Sequence, residues 1–378
     1  MAKAKNDDTV FCRWERNGEF AIHFTQNVFD ENNPLVADVL KRATGSDAPR
    51  VLLVADGNVV QRTEGLGTRI GRYVKANGIE LAAQPVVMGG GEKIKSDGLR
   101  SASEILNAVI EAKVGVNDAI LVIGGGTLLD LAGYAAAQVR GGINLVRMPT
   151  TIASMIDATF ADEAAINTPG VKDALRVPSH CAAAIIDFGF ALTVLDGVWR
   201  GGVGEAVRFA AVRDAALMKR IAKAAEQLKN RDLKAMTAMV RGVVEARAKK
   251  GADGFALWSA GRLEAMSSYK LPHGYAVPIG ICIDCAYAVA KGVLKPADQE
   301  LVCRALSECG ALDGLVHSRH LLSQADNILL GLDTWKLSSG SPGIVLPAGL
   351  GKQMVDEEPD RELLRQVIRD FLQASIEG

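Results

Sequence analysis

Gly124, Gly125 and Gly126, with Asp130 four residues after the last of them, close the apolar run AILVIGGG and are placed to do chemistry. Glycine at a strand end permits positive φ and lets backbone amides approach a bound phosphate with no Cβ in the way. On spacing alone a phosphate loop and a tight turn both stay open. The G-x-G-x-x-G fingerprint on a first strand is missing, and this run falls roughly 70 residues after VLLVAD.

Three further polar turns accompany it. Asp56 and Asn58 follow VLLVAD, where they either hydrogen-bond hydroxyls of a ligand over the strand ends or form a capping Asx turn. GGGEKIKS carries Glu92 and Lys95, and VRMPTTIASMID carries Thr150, Thr151 and Asp157. Four such turns on one sheet favour a ligand over chance.

The elements that must position these residues follow from periodicity. Strands are expected at VLLVAD (51–56), QPVVMG and AILVIG, with helices over 63–77 and 98–112 between them. Strands alternating with helices imply a parallel sheet with right-handed crossovers, whose ligands sit beyond the carboxyl ends of the strands. After MPTTIAS the period becomes helical, over 204–228, 232–250, around 262–266, and over 277–291, 296–309 and 362–374. The expected organisation is an N-terminal α/β domain over residues 1–180 and a mainly helical domain over 181–378.

Composition narrows the partners. Lys and Arg total 43 against 44 for Asp and Glu, and no long one-sign run tracks nucleic acid or an anionic membrane. Aromatics, at 5%, are too sparse for a single-strand stacking platform, so a small-molecule substrate is expected. MAKAKNDDTVF lacks the apolar core of a secretory signal, which makes the cytoplasm the expected compartment. Cys282 and Cys285 form a lone CxxC within VPIGICIDCAYAVA and read as buried helix thiols, and HSRH (317–320) reads as an exposed helix face.

Taken in order, VLLVADGNVV, GGGEKIKS, GGGTLLDLAGYAAAQVRGG, VRMPTTIASMIDATF, AAAIIDFGFALTVL, GGVGEAVRF and KLPHGYAVPIG resemble the 3-dehydroquinate synthase family and its sugar phosphate cyclase relatives. The resemblance implies an NAD-binding α/β domain, a helical domain with a divalent metal (zinc or cobalt) at the cleft, and a homodimer. It assigns Gly124, Gly125 and Gly126 to the NAD pyrophosphate and Asp130 to the nicotinamide and substrate. Asp56, Asn58, Glu92 and Lys95 would hold the adenosine half, with Thr150, Thr151, Asp157, Lys172, Phe190 and Thr193 lining the rest.

Departures are concentrated on the metal and substrate half. Glu205 and His273 match two metal ligands, but ALWSAGRLE (256–264) lies opposite the family's G-H-T-x-G-H-A-x-E, so Leu257 takes the third ligand position and Gly261 that of a second histidine. Glu264 has its counterpart in the family, and Trp258 reads as filling the volume that metal and imidazole would take. Glu163 replaces a lysine, Asp173 an asparagine and Arg208 a lysine, Lys250 and Gly254 replace an arginine and an asparagine, and Arg140 is offset by one residue. Two groups that would face a phosphomonoester are now carboxylates, and like charges in a low-dielectric cleft repel.

The expected activity is that of an enzyme with this fold using NAD on a polar, non-phosphorylated, neutral or amine-bearing alcohol or ketone in a specialised biosynthetic pathway. Asp130, Asp157, Glu163, Lys172 and Arg208 are its expected catalytic set. The competing expectations are a metal-dependent cyclase with an altered third ligand and a non-catalytic nucleotide-binding relative.

Overall fold

A computed structural model describes residues 18–91, 94–95, 98–139, 141–168 and 171–377. Its frame is a parallel sheet of seven strands: β1 (Ala21–Thr25), β2 (Arg50–Asp56), β3 (Glu80–Leu81), β4 (Val86–Met88), β5 (Ala119–Gly124), β6 (Asn144–Pro149) and β9 (Ala183–Asp187). The order is β1-β9-β6-β5-β2-β3, with β4 also paired to β2. The antiparallel hairpin β7 (Glu163–Thr168) and β8 (Val171–Pro178) intervenes in sequence before β9. Because β9 pairs with both β1 and β6, the sheet runs through Asp187.

Alternation along the strands decides which helices cover which face. Val51, Leu53 and Ala55 pack with Val36, Leu40, Ile70 and Tyr73 of helices Leu35–Thr44 and Leu66–Ala76. Leu52 and Val54 pack on the other face with Ile105 of helix Leu99–Glu111 and Leu131 of helix Gly126–Gln138. A period of two thus buries both faces, as a doubly covered parallel sheet requires. From β2 the chain goes to β3 and β4 on one side and returns to β5 on the other, so the carboxyl ends of β2 and β5 form the switch point where such sheets bind ligands.

The remainder is largely helical. The stretch expected as one helix over 204–228 is three, Asp196–Arg213, Ala215–Lys223 and Ala225–Lys229, because Asp214 leaves the helical conformation and caps the next helix by accepting from the Leu217 amide at 2.9 Å. Helix His273–Ala290, long and apolar enough to cross a bilayer by length and composition, is mostly buried here against the 196–213, 257–266, 296–308 and 361–377 helices. Cys282 and Cys285 on it are buried free thiols, while His320 of the HSRH stretch is exposed.

Candidate active site

The residues expected to hold the nucleotide gather where β2 and β5 end. Asp56 caps the following helix, its Oδ1 accepting from the Asn58 amide at 2.8 Å, so the capping Asx turn is realised here. The Gly89–Gly91 turn folds onto it: a Cβ on Gly90 would lie 2.7 Å from Asn58 Nδ2 and collide with the Asp56 carboxylate. A Cβ on Gly124 would lie 2.8 Å from Leu128 Cδ2 and 3.4 Å from Asp56 Cβ. Gly125 caps helix Gly126–Gln138, whose first amides point out of the helix start.

Thr150 is anchored by its amide to the Gly124 carbonyl at 3.0 Å, while its buried hydroxyl has no hydrogen-bond partner among the described residues. Thr151 closes a capping box with Ser154, Phe190 is buried beneath the sheet end, and the Thr193 hydroxyl donates to the Phe190 carbonyl at 2.8 Å. Glu92 and Arg140 lie outside the described residues, and the backbone of Lys172 lies on β8. A crowded glycine cradle, a helix start and an orphaned buried hydroxyl fit a dinucleotide pyrophosphate.

Lys95 is buried between two carboxylates. Its Nζ lies 2.7 Å from Asp130 Oδ2 and also pairs with Asp173. Burial opposes the ammonium charge, but Asp130 and Asp173 outweigh it and hold the Lys95 pKa above its usual range. Glu163 stands at the start of β7, half exposed, with Arg176 at 3.5 Å.

The other half is a buried ion network on the helical side. Glu205 Oε2 accepts from Arg208 Nε at 2.8 Å, and Glu205 Oε1 lies 3.1 Å from His273 Nε2. His273 Nδ1 meets Glu264 Oε1 at 2.6 Å. Arg208 also bonds Asp253 and approaches Asp157 Oδ1 at 3.6 Å, and Arg247 reaches the same Asp157 oxygen at 2.7 Å. Burial alone would push the Glu205 carboxyl up; Arg208 and then His273 overcome it and hold Glu205 well below the usual carboxylate range. Asp253 moves the other way, raised by burial in spite of Arg208.

Backbone contact sets this geometry. Helices 196–213 and 273–290 touch at Gly201 and Gly274, where a Cβ on Gly201 would lie 2.5 Å from Gly274 Cα. One turn further, a Cβ on Gly204 would meet Pro278 Cγ at 2.9 Å. Only side chains without Cβ allow the approach that brings Glu205 to His273.

A divalent ion fits this donor set poorly. Glu205 and His273 adjoin, and Glu264 is the outer partner that a ligating imidazole usually has. The Arg208 guanidinium, however, already occupies one Glu205 oxygen. Leu257, in the third position, is a half-buried side chain packed on the helical core and has no donor atom. Among the described residues no group of three or more His, Cys, Asp or Glu is arranged to hold a metal, whereas a catalytic zinc takes three protein ligands.

Sequence reasoning missed Asp253, Arg247, Arg147 and Asp284. Arg147, buried on β6, donates to the Ala161 carbonyl at 2.6 Å and the Ser179 carbonyl at 3.1 Å, which ties the turn after Asp157 to the sheet. Trp258 does not stand alone in its space: its indole donates to Asp284 Oδ1 at 2.9 Å, deep in the helical core. The GADG turn was the one available signal for Asp253.

A parallel sheet with its switch point at a glycine cradle, facing a helical layer that carries Glu205 and His273, defines a dehydroquinate synthase-like α/β protein. A family model described as 3-dehydroquinate synthase N-terminal matches residues 85–197. A 3-dehydroquinate synthase of Rhodopseudomonas palustris is 25% identical over 313 residues, covering 78% of this chain and 81% of that protein. One from a Bradyrhizobium species is 27% identical over 316 residues, covering 78% and 80%. Among solved structures, a 2-epi-5-epi-valiolone synthase from Streptomyces hygroscopicus with NAD+ and Zn2+ bound superposes with a TM-score of 0.84 at 22% identity, over 97% of this chain and 100% of that one. A 2-deoxy-scyllo-inosose synthase complexed with carbaglucose-6-phosphate, NAD+ and Co2+ follows at 0.76 and 18%, over 93% and 96%. The chain is thus similar in sequence to 3-dehydroquinate synthases over most of its length, and it shares its fold with the two cyclases.

Proposed function

We propose that this protein is an NAD-dependent enzyme acting on a polar, non-phosphorylated alcohol or ketone, neutral or amine-bearing, and that it works as a homodimer in a specialised biosynthetic pathway. The observation that carries the substrate class is the pairing of Lys95 with both Asp130 and Asp173. Arg208 and Arg247 are likewise matched to carboxylates, and Lys250, where the resemblance puts an arginine, caps a helix end through the Arg213 carbonyl and Asp214. A phosphomonoester entering here would have to displace a carboxylate from its cation, at a cost of several kcal/mol.

Gly124, Gly125 and Gly126 would hold the pyrophosphate, Asp56 and Asn58 a ribose, and Asp130 the nicotinamide side. NAD bound there supplies the acceptor for a hydride from a carbinol carbon. His273, whose side chain is 41% exposed, presents its imidazole to the cleft between Glu205 and Glu264. Its two ring nitrogens face Glu205 Oε1 and Glu264 Oε1, so proton exchange with a substrate hydroxyl requires Glu205 to release Nε2. Asp157, half exposed and held by Arg247, orients a substrate hydroxyl.

The retained Glu205–His273–Glu264 arrangement favours a second reading, a metal-dependent cyclase. Nicotinamide reduction and, because a cyclase returns its hydride to the substrate, substrate loss and product mass are to be followed with polyols, amino-polyols and sugar phosphates side by side. Turnover of the non-phosphorylated set supports the proposal. Turnover of sugar phosphates alone, dependent on zinc or cobalt, replaces it with the cyclase reading.

A further inference from the structure

We infer that in this chain the Arg208 guanidinium, assisted by Arg247, is the resident cation of the site that holds a divalent metal in its relatives. The inference adds to the proposed activity a statement about charge, and it stands whatever alcohol is turned over. Arg208 is buried and lies one helical turn beyond Glu205, so its Nε meets Glu205 Oε2 at 2.8 Å along a single helix face. Its other nitrogens reach Asp253 and Asp157, and Arg247 adds a second positive charge at Asp157 Oδ1, 2.7 Å away. Two guanidinium groups thus place two positive charges among three carboxylates from three segments of the chain.

A buried carboxylate needs a counter-charge, and a planar guanidinium satisfies several at once through its fixed fork of donors. A metal would have to take Glu205 from Arg208 and sit beside its positive charge, with Leu257 offering no ligand. Arg208 is a positioning residue here. Its donors are turned to carboxylates, and it fixes Glu205 in the orientation that meets His273.

The test is metal content of the full-length protein by elemental mass spectrometry, after dialysis against zinc or cobalt and then against metal-free buffer. The expected result is below about one tenth of a metal per chain, as for a protein with no structural or catalytic ion, and a melting temperature indifferent to chelator. Near one metal per chain, lost in Glu205→Ala, overturns the inference.

Arg208→Met is the complementary variant. It should melt several degrees lower, about 2–8 °C, with zinc or cobalt recovering part of the loss in this variant alone, and Arg208→Lys, which keeps the charge but not the fork of donors, should recover part of it without metal. If Arg208→Met does not fold, the wild-type stoichiometry still decides. Metal content is read without turnover, so loss of this inference and loss of the NAD reading are separate outcomes.

Discussion

Gly201 and Gly274 meet backbone to backbone, and the contact draws Glu205 and His273 to 3.1 Å. Gly201→Ala should wedge the two helices apart, costing about 1–3 kcal/mol as overpacking does. Because catalytic groups shifted by about 1 Å lose on the order of a hundredfold in rate, turnover should fall more than stability. Urea melts and turnover on the same preparation check this, and an unchanged rate in a folded variant would falsify the positioning role.

Lys95→Met leaves Asp130 and Asp173 facing each other without the ammonium between them, with Arg176, 3.9 Å from Asp173, as a remaining counter-charge. Breaking a buried pair from one side costs about 3–5 kcal/mol, discounted here because the Asp130 and Asp173 side chains keep 20% and 27% exposure. The double variant Lys95→Met/Asp173→Asn should recover part of the loss. Equal melts for single and double variants would show that Asp173 is not coupled to Lys95.

Gly90→Ala offers a separation of binding from folding. Its new methyl would strike the Asp56 carboxylate, a movable side-chain end, so the fold can yield while the proposed ribose ligand is displaced. NAD affinity should drop at least about tenfold, the order of one charged hydrogen bond, with a melting temperature within a few degrees of wild type. Calorimetric titration with NAD measures it, and undiminished affinity would remove Asp56 from the nucleotide site.

Burial pushes Asp284 up to about 8, against the opposing hydrogen bonds from Trp258 and the Ala256 amide. Its folded pKa lies above the ordinary carboxylate value, so between roughly pH 4 and pH 8 the folded chain binds more proton than the unfolded one. This contribution to stability is complete at the acid end of that window and is lost as pH rises through it, by up to about 1.4 kcal/mol per pH unit. Asp284→Asn cannot titrate, and its stability should fall less steeply with pH. Parallel slopes for the two proteins across the window would sink the assignment.

Much of the fold was legible because its signals are local. The runs ending at Asp56 and Gly124 are apolar and β-branched, and each stops at a polar or glycine turn, so strand and switch point could be read together. The helical layer was legible as a layer but not in its breaks: Asp214 splits a continuous period by taking the Leu217 amide, a local competition that periodicity does not register. The β7–β8 hairpin passed unread, since FADEAAIN and VKDALRVP carry no clean alternation.

The sequence by itself determined the α/β frame, the glycine cradle and the presence of Glu205 and His273 with Leu257 at the third position, because spacing and side-chain type suffice for each. Only the tertiary structure decided which charges neutralise which. Lys95 was expected beside a nucleotide and is held by Asp130 and Asp173; Arg208 joins Glu205 to Asp253, 45 residues from Arg208 in the chain. The strength and sense of an ion pair depend on distance and on how much water is excluded, and both are fixed by how helices pack, here down to two glycines in contact.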